Sequence, residues 1–145
     1  MSELIERVGS HNVYLTPDEY LAPVRLYGGG EISLDPCTEP DNPVYAKRFF
    51  TAKDDGLEHN WLEASNGGLV FVNPPYSFGI DPALPKDERR ELKRELMAKA
   101  RRQAQRLFCC QPQDITSPIV LWTKKIALEA DRDAMIIALL PCGAR

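Results

Sequence analysis

The sequence has no uninterrupted apolar run approaching the ~18 residues of a membrane-spanning helix, and no basic-then-apolar leader at its amino end. Neither a membrane span nor a secretory signal is therefore read, and a cytoplasmic location is expected. Cysteine is scarce. Cys37, Cys109, Cys110 and Cys142 form no CxxC pair, and His11 and His59 are the only histidines available to complete a metal site. Reduced thiols and no metal are expected. Internal repeats and low-complexity tracts are also missing. What is left, 145 residues of which 43% are hydrophobic and 27% charged, is ordinary globular composition. One domain over 1–145 is expected, with a sizeable core that needs no staples.

Net charge is −3, which does not by itself suggest a nucleic-acid partner. The distribution says more. Between Lys86 and Arg106 there are nine Lys or Arg against four acids, so this segment carries +5 and the remainder −8. From Pro82 to about Phe108 the pattern is helical, with Leu92, Leu96, Ala100, Gln103 or Ala104, and Leu107 on one stripe. The basic residues around that stripe read either as a solvated face laced with Glu91 and Glu95, or as phosphate contacts. Arg90, Lys93, Arg94, Arg101 and Arg102 are the candidates for the second.

Residues 1–13 show weak periodicity and read as a flexible arm. Thr16-Pro17-Asp18-Glu19 has the form of a capping box, with Thr16 as N-cap and Pro17 at the first helical position of a short helix to about Leu26. Gly28-Gly29-Gly30 ends it, and Glu31 to Asp35 alternates as a strand does. The proline-rich loop 35–43 follows. A short strand is read within 45–51, then an acidic turn at 52–57. Asp54 and Asp55 there either meet hydroxyl or amino groups of a nucleoside or simply open a turn before Gly56. Ser117-Pro118 starts another helix, ending between Glu129 and Asp133. Ala134 to Leu140 is a continuous apolar run, as in a strand buried on both faces.

The most informative stretch is Asn73-Pro74-Pro75-Tyr76. It follows Leu69-Val70-Phe71-Val72, four bulky β-formers bounded by Gly67 and Gly68, which read as a short buried strand. Two prolines fix φ near −65° and remove two amide donors, so the carbonyls of Asn73 and Pro74 become acceptors in a stiff frame. A carboxamide oxygen beside a rigid carbonyl can accept both hydrogens of an exocyclic amine, and a tyrosine ring gives a planar base a stacking surface. Amine methylation needs that arrangement. The same residues also read as an ordinary Pro-Pro turn closing a strand. If strands 31–35 and 69–72 are neighbours in an open α/β sheet, Asp35 and Asn73 face one crevice at the strands' carboxyl ends, where such sheets bind ligands. Asp35 taken alone reads first as a turn former before proline.

Taken in order, these residues resemble the phage-type DNA N6-adenine methyltransferases that use S-adenosylmethionine. The matching marks are Tyr14-x-Thr16-Pro17, Leu34-Asp35-Pro36-Cys37, Asp54-Asp55-Gly56-Leu57 with Trp61, Asn73-Pro74-Pro75-Tyr76-Ser77, Trp122-x-x-Lys125 and Leu139-Leu140-Pro141. The resemblance implies a Rossmann-like methyltransferase fold, with a mostly parallel sheet and helices on both faces. It implies that Tyr14, Thr16, Pro17, Asp35 and Cys37 line the cofactor pocket and that Asp54 or Asp55 meets the adenosine. Asn73, Pro74, Pro75 and Tyr76 would hold a flipped adenine of double-stranded DNA. Three departures are noted: the loop after Asp35 has no glycine, residues 78–117 read as a helical insertion, and the chain reaches Arg145 where the family's sheet continues. The last gives the expectation of a sheet cut short after its fifth strand, completed by a second copy or a partner, or of a remnant that only binds DNA. RNA adenine and protein glutamine are the alternative substrates.

Overall fold

The computed structural model describes residues 16–141, and at its centre lies a four-stranded, all-parallel sheet. Its strands are β1 (Leu34–Asp35), β2 (Arg48–Phe49), β3 (Leu69–Val72) and β4 (Met135–Ala138), in the order β2-β1-β3-β4. Five strands were expected; the described residues hold four. All-parallel pairing with intervening helices is the Rossmann-like α/β arrangement that the sequence implies. The order reverses direction at β1: the chain goes from β1 to β2 on one side, then returns to place β3 on the other.

The described chain divides into two compact units. One comprises residues 16–74 with 126–141, and the other is Pro75–Lys125. The first contains the whole sheet. Its helices are α1 (Asp18–Tyr27) and the single turn α2 (Trp61–Ala64). Leu21 of α1 packs with Ile32, Val44, Ala46 and Phe71, and Val24, Ile137 and Leu139 close over that cluster. β3 is fully buried along its length, as four apolar residues between two parallel neighbours must be. β4 is not. Met135 is exposed and the next three residues are half-buried, because among the described strands β4 stands at the end of the sheet and lacks a neighbour on one side.

Several boundaries differ from the sequence reading. Regular pairing in β1 and β2 spans two residues each, although bonds from Ser33 N to Leu69 O and from Lys47 N to Ile32 O extend the ladder backward. The capping box is absent. Pro17, at ψ 146°, occupies the N-cap position with no side-chain cap, and the helix starts at Asp18. Proline holds the residue before it extended, so Thr16 stands outside the helix and its hydroxyl is used elsewhere.

The second unit is built on α3 (Lys86–Phe108) and the first part of α4 (Pro118–Asp131). α3 starts four residues later than the pattern suggested. Asp81 Oδ1 accepts from Ala83 N at 2.8 Å and holds a turn there, and the chain becomes helical only after Pro85. The apolar stripe is where it was read: Ala100 and Ala104 are buried, with Leu92, Leu96, Gln103 and Leu107 half-buried. α3 ends at Cys109, which adopts φ 52°, and packs against the 3-10 turn Pro112–Asp114. Arg101 Nε donates to Ile115 O at 3.2 Å, fixing that turn to the helix. Among the described residues no helix is long and apolar enough to cross a membrane. The expected arm, 1–13, lies outside them.

Candidate active site

β1 and β3 are hydrogen-bonded parallel neighbours, with Leu34 opposite Val70. Their carboxyl ends therefore emerge side by side, delivering Asp35 and Asn73 at the point where the strand order reverses. In open α/β sheets that is where ligands bind.

Asp35 is 2% exposed. Burial raises its carboxyl to about 6, against the lowering influence of hydrogen bonds from Cys37 N, at 3.1 Å, and from the Thr38 side chain. A carboxylate held this way in a near-apolar setting strongly favours a cationic neighbour. The Cys37 thiol is pushed well up, first by burial and then by the negative charges of Asp35, Glu39 and Asp55. It stays protonated and is no nucleophile.

The 54–57 segment reaches the same place through Gly56. A Cβ on Gly56 would lie 1.9 Å from Pro36 O, so only glycine lets this segment lie against the loop after β1. Asp55 sits at φ 53° and its Oδ1 caps Leu57 N at 3.2 Å. Asp54 is exposed, and its carboxylate accepts from Thr51 N at 2.9 Å and Thr51 Oγ1 at 3.0 Å. These bonds hold its pKa below the usual carboxylate value. Both acids thus make local turn bonds, and of the two Asp55 bears electrostatically on Cys37. His59 stacks on Phe50 with centroids 4.0 Å apart, and its Nε2 meets Asp54 O at 2.9 Å, so the segment is tied at both ends.

Asn73 is half-buried, and its Nδ2 donates to Thr16 Oγ1 at 3.3 Å. The amino side of the carboxamide is thus engaged by Thr16. The resemblance implied that Thr16 lines the cofactor pocket; in the structure its hydroxyl accepts from Asn73. Pro17 is exposed at the start of α1, Pro74 is buried, and Tyr14 lies outside the described residues.

In the other unit Pro75 is half-buried and Tyr76 is 38% exposed. Tyr76, Ser77, Phe78, Gly79, Ile80, Lys93, Thr116, Ser117 and Pro118 line a cavity of about 290 Å³. A groove of about 440 Å³ on α3 is lined by Arg90, Lys93, Arg94, Met97, Ala98 and Arg101. At 3.6 residues per turn these six share one face, whereas Glu91 and Glu95 fall to its side together with Arg102. Four of the five arginine and lysine candidates thus come together in the groove, and Arg102 does not.

Two features were not found from the sequence. Gly56 looked like an ordinary turn residue. Glu129 was read only as marking the end of a helix, yet it is fully buried: Oε2 accepts from Trp61 N at 3.0 Å and Oε1 from Arg132 at 3.0 Å. Trp61, also fully buried, in turn donates from Nε1 to Gly56 O at 2.8 Å. Glu129 thereby holds the helix that anchors the 54–57 segment. Its only sequence signal was a position on the same helical face as Trp122 and Lys125, both buried.

Compared with protein-family models, residues 6–141 match the one described as DNA N-6-adenine-methyltransferase (Dam). Comparisons with curated proteins and with solved structures gave no match.

Proposed function

Because the chain belongs to the DNA N-6-adenine-methyltransferase family, whose members methylate adenine in DNA, we propose that it carries a methyl group from S-adenosylmethionine to adenine N6 in double-stranded DNA, using the loop that opens at Asn73. The observation that carries this reading is the pairing of β1 with β3, from which Asp35 and Asn73 emerge at the sheet's reversal point.

The donor set fits the cofactor. A buried carboxylate at Asp35, with Asp55 nearby, suits a ligand whose amino and sulfonium groups are both positive. When bound, S-adenosylmethionine would supply an electrophilic methyl, which the adenine amine's lone pair would take as the C–S bond opens to a neutral thioether, the amine releasing one proton to solvent. Asn73 and the Pro74 carbonyl accept the two amine hydrogens, aligning the lone pair and meeting the positive charge that develops on nitrogen. Thr16 holds the Asn73 carboxamide in that orientation. Pro75 keeps the frame stiff and Tyr76 stacks on the base. The amine is out of reach within a stacked duplex, so the adenine is flipped out. Arg90, Lys93, Arg94 and Arg101 bind phosphates. Residues 78–117 serve the single methyltransferase domain as a helical insertion.

The test is methyl transfer from radiolabelled S-adenosylmethionine to unmethylated DNA, with RNA and protein as parallel acceptors. The wild type should label DNA at adenine N6, and folded Asn73→Ala should lose about a hundredfold in turnover. Near-wild-type turnover by that variant, or labelling of RNA or protein instead, would sink the assignment.

A further inference from the structure

The cavity that Tyr76 lines brings hydroxyls and one positive charge together. Ser77, Thr116 and Ser117 bring three aliphatic hydroxyls, Lys93 brings a positive charge, and no carboxylate lines it. Phe78, Ile80 and Pro118 supply an apolar wall. At about 290 Å³ it lies at the small end of cavities that take a whole small molecule, which begin at about 300 Å³. Lysine, serine and threonine side chains are what protein surfaces present to phosphodiester oxygens, with apolar atoms against the sugar. The lysine alone would not distinguish this place from any other on α3.

What distinguishes it is a shared residue. Lys93 lines both this cavity and the groove formed with Arg90, Arg94 and Arg101. A nucleic-acid backbone lying along the groove therefore reaches, at Lys93, the side chain that also lines the cavity, where the hydroxyls replace the arginines as partners. Tyr76 lines the same cavity, so a phosphate seated there is within one nucleotide of a base stacked on that ring.

We infer that Lys93, Ser77, Thr116 and Ser117 form the binding site for the phosphate flanking the target adenine, clamping the backbone at the point where the base leaves the helix. This rests on the reading of Tyr76 as the base-stacking residue of a DNA methyltransferase. Fixing that phosphate turns base extrusion into rotation about a held pivot, so the contact acts on turnover as well as on binding. The other phosphates along the groove add affinity only.

The experiment first sequences methylated plasmid DNA for N6-methyladenine, which gives the target site. Short duplexes carrying that site are then made with one phosphate at a time replaced by a neutral methylphosphonate. Wild type should lose about tenfold in kcat/KM at one phosphate adjoining the target adenine, as expected for one charge-assisted hydrogen bond. Lys93→Gln should already be about tenfold down on the all-phosphate duplex and lose clearly less than wild type from that substitution. Lys93→Arg should keep the wild-type sensitivity. If methylphosphonate at every flanking position costs Lys93→Gln as much as wild type, the site is wrong while the methyltransferase reading stands. If wild type methylates no adenine in DNA, the methyltransferase reading falls and this site falls with it.

Discussion

The buried carboxylate of Asp35 makes the proposed cofactor site measurable through pH. With its pKa raised to about 6 by burial, Asp35 is almost wholly ionised at pH 7.5 and about one-tenth ionised at pH 5. If only the carboxylate holds the positive ligand, the Kd for S-adenosylmethionine should rise roughly tenfold over that interval, about 1.4 kcal/mol. Binding below pH 6 should also release close to one proton, because the ligand's charge pulls the carboxyl back down. Calorimetry in two buffers of different ionisation enthalpy reads the affinity and the proton count together. Asp35→Asn gives the baseline: it should bind weakly, and any pH slope it keeps belongs to other groups, the ligand's own included. Stability should move the opposite way. The folded pKa lies above the unfolded value near 3.9, so the contribution of Asp35 to stability is fully present below about pH 4 and is lost as pH rises through 6. Asp35→Asn should therefore be more stable than wild type at pH 7.5, by at most ~3 kcal/mol, with no advantage at pH 4. A wild-type Kd that is flat from pH 5 to 7.5, or a slope that Asp35→Asn shares in full, would refute the reasoning.

Three other outcomes are expected. Tyr76→Phe should keep methylating and Tyr76→Ala should not, since stacking a base on an aromatic ring is worth about 1–3 kcal/mol and needs no hydroxyl; equal kcat/KM for the two would argue for a different role. Arg90→Gln combined with Arg94→Gln should weaken binding to all duplex sequences alike and flatten the plot of log affinity against log salt by up to about two units, with cofactor affinity unchanged; the parent's slope would make the groove mere scaffold. Gly56→Ala drives a methyl into Pro36 O, so denaturant melts should show a loss on the order of 1–3 kcal/mol, and cofactor affinity should fall because the 54–57 segment is pushed off the loop after Asp35; unchanged melting would mean that the contact relaxes freely.

The parts of this structure legible in the sequence are those governed by local pattern. The run 69–72 announced β3, the stripe Leu92 to Leu107 announced α3, and Ser117-Pro118 marked the start of α4. The Asn73-to-Tyr76 motif and the marks around it pointed to the family that the comparison identifies over residues 6–141. What stayed hidden depends on partners far along the chain. Thr16 looked like a helix cap because the sequence shows Pro17 and Glu19 beside it but not Asn73, 57 positions away. Glu129 meets Trp61 N across 68 positions, and nothing near either residue signals it. Exposure of β4 followed from its place at the end of the strand order, which an apolar run cannot report. Arg102 looked equivalent to Arg101 until the helical turn put them on different faces of α3.

The parallel pairing of β3 with β4 has a cost during synthesis. Its two strands are joined only after all of α3 and α4 has been made, so the bare run Leu69–Val72 waits roughly sixty residues for the partner that covers one of its edges. At about 5–20 residues per second that is several seconds on the ribosome. Local helices form in about a microsecond, but this strand cannot close early, and an apolar, strongly β-forming segment with an open edge is a nucleus for aggregation. Its flanks limit the danger. Two glycines precede it and two adjacent prolines follow it, and prolines interrupt an intermolecular ladder because they have no amide hydrogen to give it. Pro74 and Pro75 thus act as gatekeepers for the nascent strand before they can act on any substrate.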